Sequence, residues 1–131
     1  MIYIGTKCQL EQIVTEEITA AAVGSGALPV LGTPCMIALM ENAAQTVLTH
    51  FLAEGQGSVG THLDVHHTSP TPVGMKITVE AEITAVSENG KMVDFSLQAW
   101  DECGSIGHGT HTRAVIDSQR FLNKCNAKLE G

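Results

Sequence analysis

Gly32-Thr33-Pro34-Cys35-Met36-Ile37-Ala38-Leu39-Met40-Glu41-Asn42-Ala43-Ala44 is the stretch on which the fold turns. Thr33-Pro34 suits a helix start, because threonine caps well and proline fits the first helical position. The run continues to about Leu52 and stops near Gly55-Gln56-Gly57. Asn42, Gln45, Thr46, Thr49 and His50 form one polar stripe, and the remaining positions are apolar. The spacing therefore predicts a helix buried on most sides. One carboxylate, Glu41, stands inside this run. Burying a carboxylate is costly unless it is hydrogen-bonded or does chemistry.

Strands surround the helix. Lys7 to Thr15 reads as a first strand, and Thr15-Glu16-Glu17-Ile18 opens a short helical piece broken at Gly24-Ser25-Gly26. After the central helix, Ser58 to Thr68 alternates. Val59, Thr61, Leu63, Val65 and His67 are expected on one face, and Gly60, His62, Asp64 and His66 on the other. Lys76 to Val86 follows, with Ile77, Val79, Ala81, Ile83 and Ala85 inward. Asn89-Gly90 marks a hairpin. Met92 to Trp100 returns with Val93, Phe95, Leu97 and Ala99 inward, and Ile106 to Ile116 forms a last strand. The tail from Asp117 is polar and is expected to fray. With no repeat or linker, residues 1–131 read as one domain of α+β class, a curved antiparallel sheet wrapped around one long helix. The open edges of such a sheet make edge-to-edge pairing of two copies natural.

Composition narrows the function. Aromatic residues make up only 4% of the chain, so aliphatic and methionine side chains must fill the core. The formal net charge of -7 argues against nucleic acid or an anionic membrane as the main partner. It leaves room for an anionic small molecule, since Lys76, Lys91, Arg113, Arg120 and Lys124 are available in the second half. No apolar run approaches the length of a membrane span, and no signal-like block opens the chain, so a cytoplasmic protein is expected. Cys8, Cys35, Cys103 and Cys125 lack Cys-x-x-Cys spacing and read as reduced thiols.

Each candidate for chemistry has a plain structural reading beside the functional one. Glu41 is either a half-solvated acid at the border of the polar stripe or a poised base or nucleophile in an apolar pocket. Thr33 is either an ordinary helix cap or a hydroxyl placed to help bind a substrate carbonyl at the helix N-terminus. His67 is either a hydrogen-bonded core imidazole or a group that holds a carboxylate or shuttles a proton. Gly57-Ser58-Val59-Gly60-Thr61 is either a loop end or backbone exposed to a developing oxyanion. His62, Asp64 and His66 share a face but lack a fourth ligand, so exposed surface is the expectation and no metal is assigned. His108 and His111 have opposite parity, which weakens them as a pair. Walker, dinucleotide and nucleophile-elbow motifs are absent.

Taken together, the motifs resemble the hotdog-fold thioesterases, in particular the fluoroacetyl-CoA thioesterase-like group. The stretches that carry the resemblance are Gly32-Thr33 with Met36 to Glu41, Gly57 to Thr61, Val65-His66-His67-Thr68 with Thr71-Pro72-Val73-Gly74, and Gly107 to Ile116. The resemblance implies a threonine–glutamate–histidine site formed by Thr33, Glu41 and His67. It also implies a Gly60 N–H facing the thioester oxygen, and an arginine, Arg113, in the last strand. A homodimer with acyl-CoA running between subunits is implied too, with coenzyme A part of the substrate and no separate cofactor. The stretch Ala20 to Leu28 departs from the pattern: the fluoroacetyl-specific member has an aromatic-rich lid there, and this chain has mostly small residues and no aromatic. A general short or medium acyl-CoA is therefore expected. Two other readings stay open, a hotdog-type enoyl-CoA hydratase or dehydratase and a non-catalytic acyl-CoA or small-ligand binder.

Overall fold

In the computed structural model, which describes residues 1–131, the long helix α2 covers Thr33–Thr49. It is preceded by strand β1 (Lys7–Ile13) and the four-residue helix α1 (Ala20–Val23). Four strands follow: β2 (Gln56–His67), β3 (Lys76–Val86), β4 (Met92–Asp101) and β5 (Gly104–Asp117). All strand pairs are antiparallel, in the order β1-β3-β4-β5-β2. The second strand in sequence thus forms an open edge. No helix is long and apolar enough to cross a membrane.

The core lies between α2 and one face of the sheet. Met36, Met40, Ala43, Ala44, Val47 and Leu48 repeat at helical spacing and are buried. They meet Ile77, Val79, Ala81 and Ile83 of β3 and Val93, Phe95, Leu97 and Ala99 of β4. Burial in this chain covers one face of α2 rather than most sides, since Pro34, Ala38 and Asn42 are exposed and Glu41 is half-buried. Glycines set the depth of packing. A Cβ on Gly107 would stand 2.8 Å from Met36 Cε and 2.9 Å from the His66 carbonyl oxygen, so only glycine lets the helix seat here.

Four local features differ from the sequence reading. A bulge between Gly60 and His62 leaves Thr61 as the extra residue, so Gly60 shares the helix-facing side with Leu63, Val65 and His67. A second irregularity, between Ile83 and Ala85, turns Ala85 out to pair with Asp94 and brings Val86 opposite Val93. The helix cap is Gly32, not Thr33; a Cβ at position 32 would stand 3.2 Å from Ala20 N and 3.3 Å from Thr19 C and Val23 Cγ2, a tight fit against the preceding segment. The tail is ordered: helix α3 (Ser118–Asn126) starts where the Asp117 carboxylate accepts the Arg120 N–H at 3.0 Å. The four cysteines are free thiols.

Candidate active site

The antiparallel register arranges the helix-facing side chains of β2, β5 and β4 in rows. Gly60, Arg113 and Val93 form one row, and Leu63, His111 and Phe95 the next. Val65, Gly109 and Leu97 follow, then His67, Gly107 and Ala99. Polar groups thus occupy both ends of an otherwise apolar surface beneath α2.

At the first end stands Glu41. Its Oε2 lies 3.7 Å from Arg113 Nη1 and 4.0 Å from His111 Nε2. The same oxygen is 2.8 Å from where a Cβ on Gly60 would stand. Glycine at 60 is what lets a carboxylate lie directly on the strand backbone.

The cation opposite it is immobilised. Arg113 is only 6% exposed. Its Nε donates to Ser58 Oγ at 2.9 Å, its Nη2 to the Ser58 carbonyl at 3.0 Å, and its Nη1 faces His111 Nε2 at 3.2 Å. Burial depresses its pKa from the usual arginine range, and the Glu41 charge works against that. A guanidinium still stays protonated, so Nη1 must be the donor to His111.

That contact fixes the state of His111. The ring is buried, and its Nδ1 lies 2.8 Å from the His62 carbonyl oxygen. A carbonyl accepts only, so Nδ1 carries the proton. Nε2, receiving the Arg113 N–H, carries none. His111 is thus a neutral imidazole in the Nδ1–H form. Burial lowers its pKa most; the His62 carbonyl opposes this, Arg113 reinforces it, and Glu41 opposes it. The 4.0 Å approach to Glu41 is therefore not an ion pair in this state.

Thr33 and His67 occupy the other end. Thr33 Oγ1 and His67 Nδ1 are 2.7 Å apart. Because Gly32 takes the cap, the Thr33 hydroxyl is released from capping and meets the imidazole instead. His67 Nε2 is buried with no partner in the chain. Burial lowers the His67 pKa, and a backbone contact with Ser69 works against it.

The chain therefore brings Thr33 to His67, and Glu41 to Gly60 and Arg113, but keeps the two groups apart. Glu41 follows Thr33 by eight residues, about 12 Å of helix rise. Gly60 and His67 are separated by roughly 20 Å along β2. The role of His111 does not follow from its relation to His108, which has opposite parity. Its signal is the i, i+2 spacing to Arg113, which places both on one strand face. His62, Asp64 and His66 lie on the opposite, exposed face. There His66 pairs with Asp64 at 3.6 Å and stacks on His108 with ring centroids 5.3 Å apart.

Comparison with known proteins agrees with this architecture. The family model described as fluoroacetyl-CoA-specific thioesterase matches residues 14–119. The fluoroacetyl-CoA thioesterase of Streptantibioticus cattleyicolor is 39% identical over 99 residues, covering 76% of this chain and 70% of the relative. A solved structure of the fluoroacetyl-CoA thioesterase FlK superposes with a TM-score of 0.91 at 31% identity, covering 98% of each chain. A hot-dog-like protein from Thermanaerovibrio acidaminovorans superposes with a TM-score of 0.88 at 26% identity, covering 98% of this chain and 93% of its own. The antiparallel sheet around one helix is the hotdog fold, and the chain belongs to the fluoroacetyl-CoA-specific thioesterase family.

Proposed function

We propose that this protein hydrolyses short or medium acyl-CoA thioesters, releasing a carboxylic acid and the free thiol of coenzyme A. The observation that carries this reading is the Glu41 carboxylate held against the Gly60 backbone opposite the buried Arg113. Family membership supports it. Hydrolysis needs an attacking oxygen, a site for the oxyanion and a proton for the departing thiolate. Glu41 supplies the first, either by taking a proton from water or by attacking through its own oxygen. The Gly60 N–H of one copy and the α2 N-terminus of a second copy favour charge on the thioester oxygen. Thr33 orients His67, whose Nε2 is the atom left to meet the reacting group or donate the proton. A thiolate is a good leaving group, so modest acid assistance suffices. Nothing beyond the coenzyme A portion of the substrate is required.

The acyl group is general rather than fluoroacetyl. In this chain Ala20–Val23 forms a short helix that ends on Gly24, and no aromatic residue stands between Ala20 and Leu28. Such a segment offers no ring to close over a fluoromethyl group.

A homodimer with a shared site fits the separation of the two polar groups. In a two-fold pair, Thr33 and His67 of one copy can meet Glu41 of the partner subunit, an approach that the helix rise forbids within one chain. The open edge formed by β2, with Leu63 exposed on it, supports pairing there.

Thiol release across acyl-CoAs of increasing chain length, with crotonyl-CoA hydration followed in parallel, tests the activity. Thiol release with no hydration is expected; hydration alone, or tight binding with neither reaction, contradicts the reading. Mixing inactive Glu41→Gln and inactive His67→Ala chains tests the shared site, since mixed dimers regain one intact site. Failure to regain any activity in demonstrated mixed dimers counts against sharing.

A further inference from the structure

Helix α3 stands on the far end of the β2–β5 ladder and buries none of its own residues. Its attachment is nonetheless defined: Ser118 N–H donates to the Gly55 carbonyl at 2.9 Å, and Asp117 caps it. A groove of about 670 Å³ runs beneath it. Arg120, Phe121 and Lys124 line it from α3, Val115 from β5, and Lys91 from the turn before β4. Arg120 and Lys124 are one helical turn apart and so share a face. Lys91 is tied to the same floor, because its carbonyl accepts the Val115 N–H at 2.8 Å.

Three of the chain's seven lysines and arginines meet here, in a protein of net charge -7. None of the three is in an ion pair; the cations that are paired are Lys76, with Glu11, and Arg113, with Glu41. Asp117 is the one acid in the lining, and its carboxylate is engaged as the helix cap. Phe121 is 41% exposed against the same groove, leaving an aromatic face in water. Unpaired cations beside an exposed ring form a surface matched to a phosphorylated nucleoside: guanidinium and ammonium groups for the phosphates, the ring for a base.

We propose that this groove binds the phosphates and adenine of the coenzyme A moiety, resting on the acyl-CoA reading above. The position suits it. Gln56, at the mouth, pairs with Asp117, and Gly60 pairs with Arg113 four residues along β2. The groove therefore lies about 13 Å from the carboxylate end of the site, measured along the strand. A pantetheine arm spans that interval between the nucleotide and the thioester sulfur.

The test compares the wild type with a variant carrying Lys91→Gln, Arg120→Gln and Lys124→Gln together. Both are assayed by thiol release from one acyl-CoA and from the matching acyl-pantetheine, which lacks the nucleotide. The preference for acyl-CoA over acyl-pantetheine, as a ratio of kcat/KM, should fall about tenfold, with the loss in KM. Adenosine 3′,5′-bisphosphate should compete with acyl-CoA in the wild type and weakly in the variant. An unchanged ratio overturns the proposal. So does a change in sedimentation from dimer to monomer, which would show that a second copy covers the groove. If the wild type cleaves neither substrate, the hydrolase reading fails by itself. Calorimetric titration of the bisphosphate then decides the groove: binding lost in the variant sustains it, and no binding to the wild type overturns it.

Discussion

Glu41 Oε2 lies 2.8 Å from the point where a β-carbon on Gly60 would stand, so the carboxylate occupies the space that a side chain at position 60 would need. Gly60→Ala should push the carboxylate away while leaving β2 paired, because the glycine is not in a left-handed conformation. A displacement of about 1 Å at a reacting group costs about 100-fold in rate. Thiol-release kinetics should show a loss of that order, with a modest drop in melting temperature because the new β-carbon also stands 3.1 Å from the buried His111 Cε1. Full activity in the alanine variant would mean that this close approach has no catalytic role.

Thr33 offers a clean separation of helix capping from chemistry. Loss of a true threonine cap costs about 1 kcal/mol. Because Gly32 caps α2 and the Thr33 hydroxyl meets His67, Thr33→Val should leave denaturant stability nearly unchanged and lower turnover, whereas Thr33→Ser should keep most of it. A stability loss with normal turnover would restore the capping role.

His111 should matter to both stability and activity. His111→Leu removes the acceptor of the Arg113 Nη1 hydrogen bond and the donor to the His62 carbonyl. Leaving such buried groups unpaired costs about 1–3 kcal/mol each. His111→Gln retains an acceptor and should recover part of the loss in urea unfolding and in turnover.

Stability should fall on mild acidification. Burial lowers the pKa of both His67 and His111 from the ordinary value of 6.5. The unfolded chain then binds more protons than the native one as pH drops through that value. The stabilising contribution is full above about 6.5 and is lost as pH falls toward the lowered native values. Unfolding free energies between pH 7.5 and pH 5 should decrease, and the decrease should be smaller in His111→Gln. A pH-independent stability, or one that rises on acidification, contradicts the neutral assignment.

Much of the architecture was legible because side-chain periodicity is set by what lies beneath. β4 alternates without a break over Val93, Phe95, Leu97 and Ala99, and all four are buried as that pattern implies. Bulges were not legible. Gly60 read as outward by strict alternation, and only the extra residue Thr61 turns it toward Glu41. Helix α3 reads as a polar tail because it has no buried face to betray it, and the capping position of Asp117 is its one local signal. The motifs point to Thr33, Glu41 and His67; the structure pairs Thr33 with His67 and sets Glu41 beside Arg113 instead. The distance between Glu41 and the Thr33–His67 pair is a property of helix rise and sheet register, which motif spacing does not convey.

The hydrolase account stands or falls on Glu41. Turnover of Glu41→Gln should be measured by thiol release on the best short acyl-CoA, with circular dichroism to show the fold retained. The substitution keeps shape and removes the base, so a loss of about 100-fold or more is expected. Turnover equal to the wild type would contradict the account.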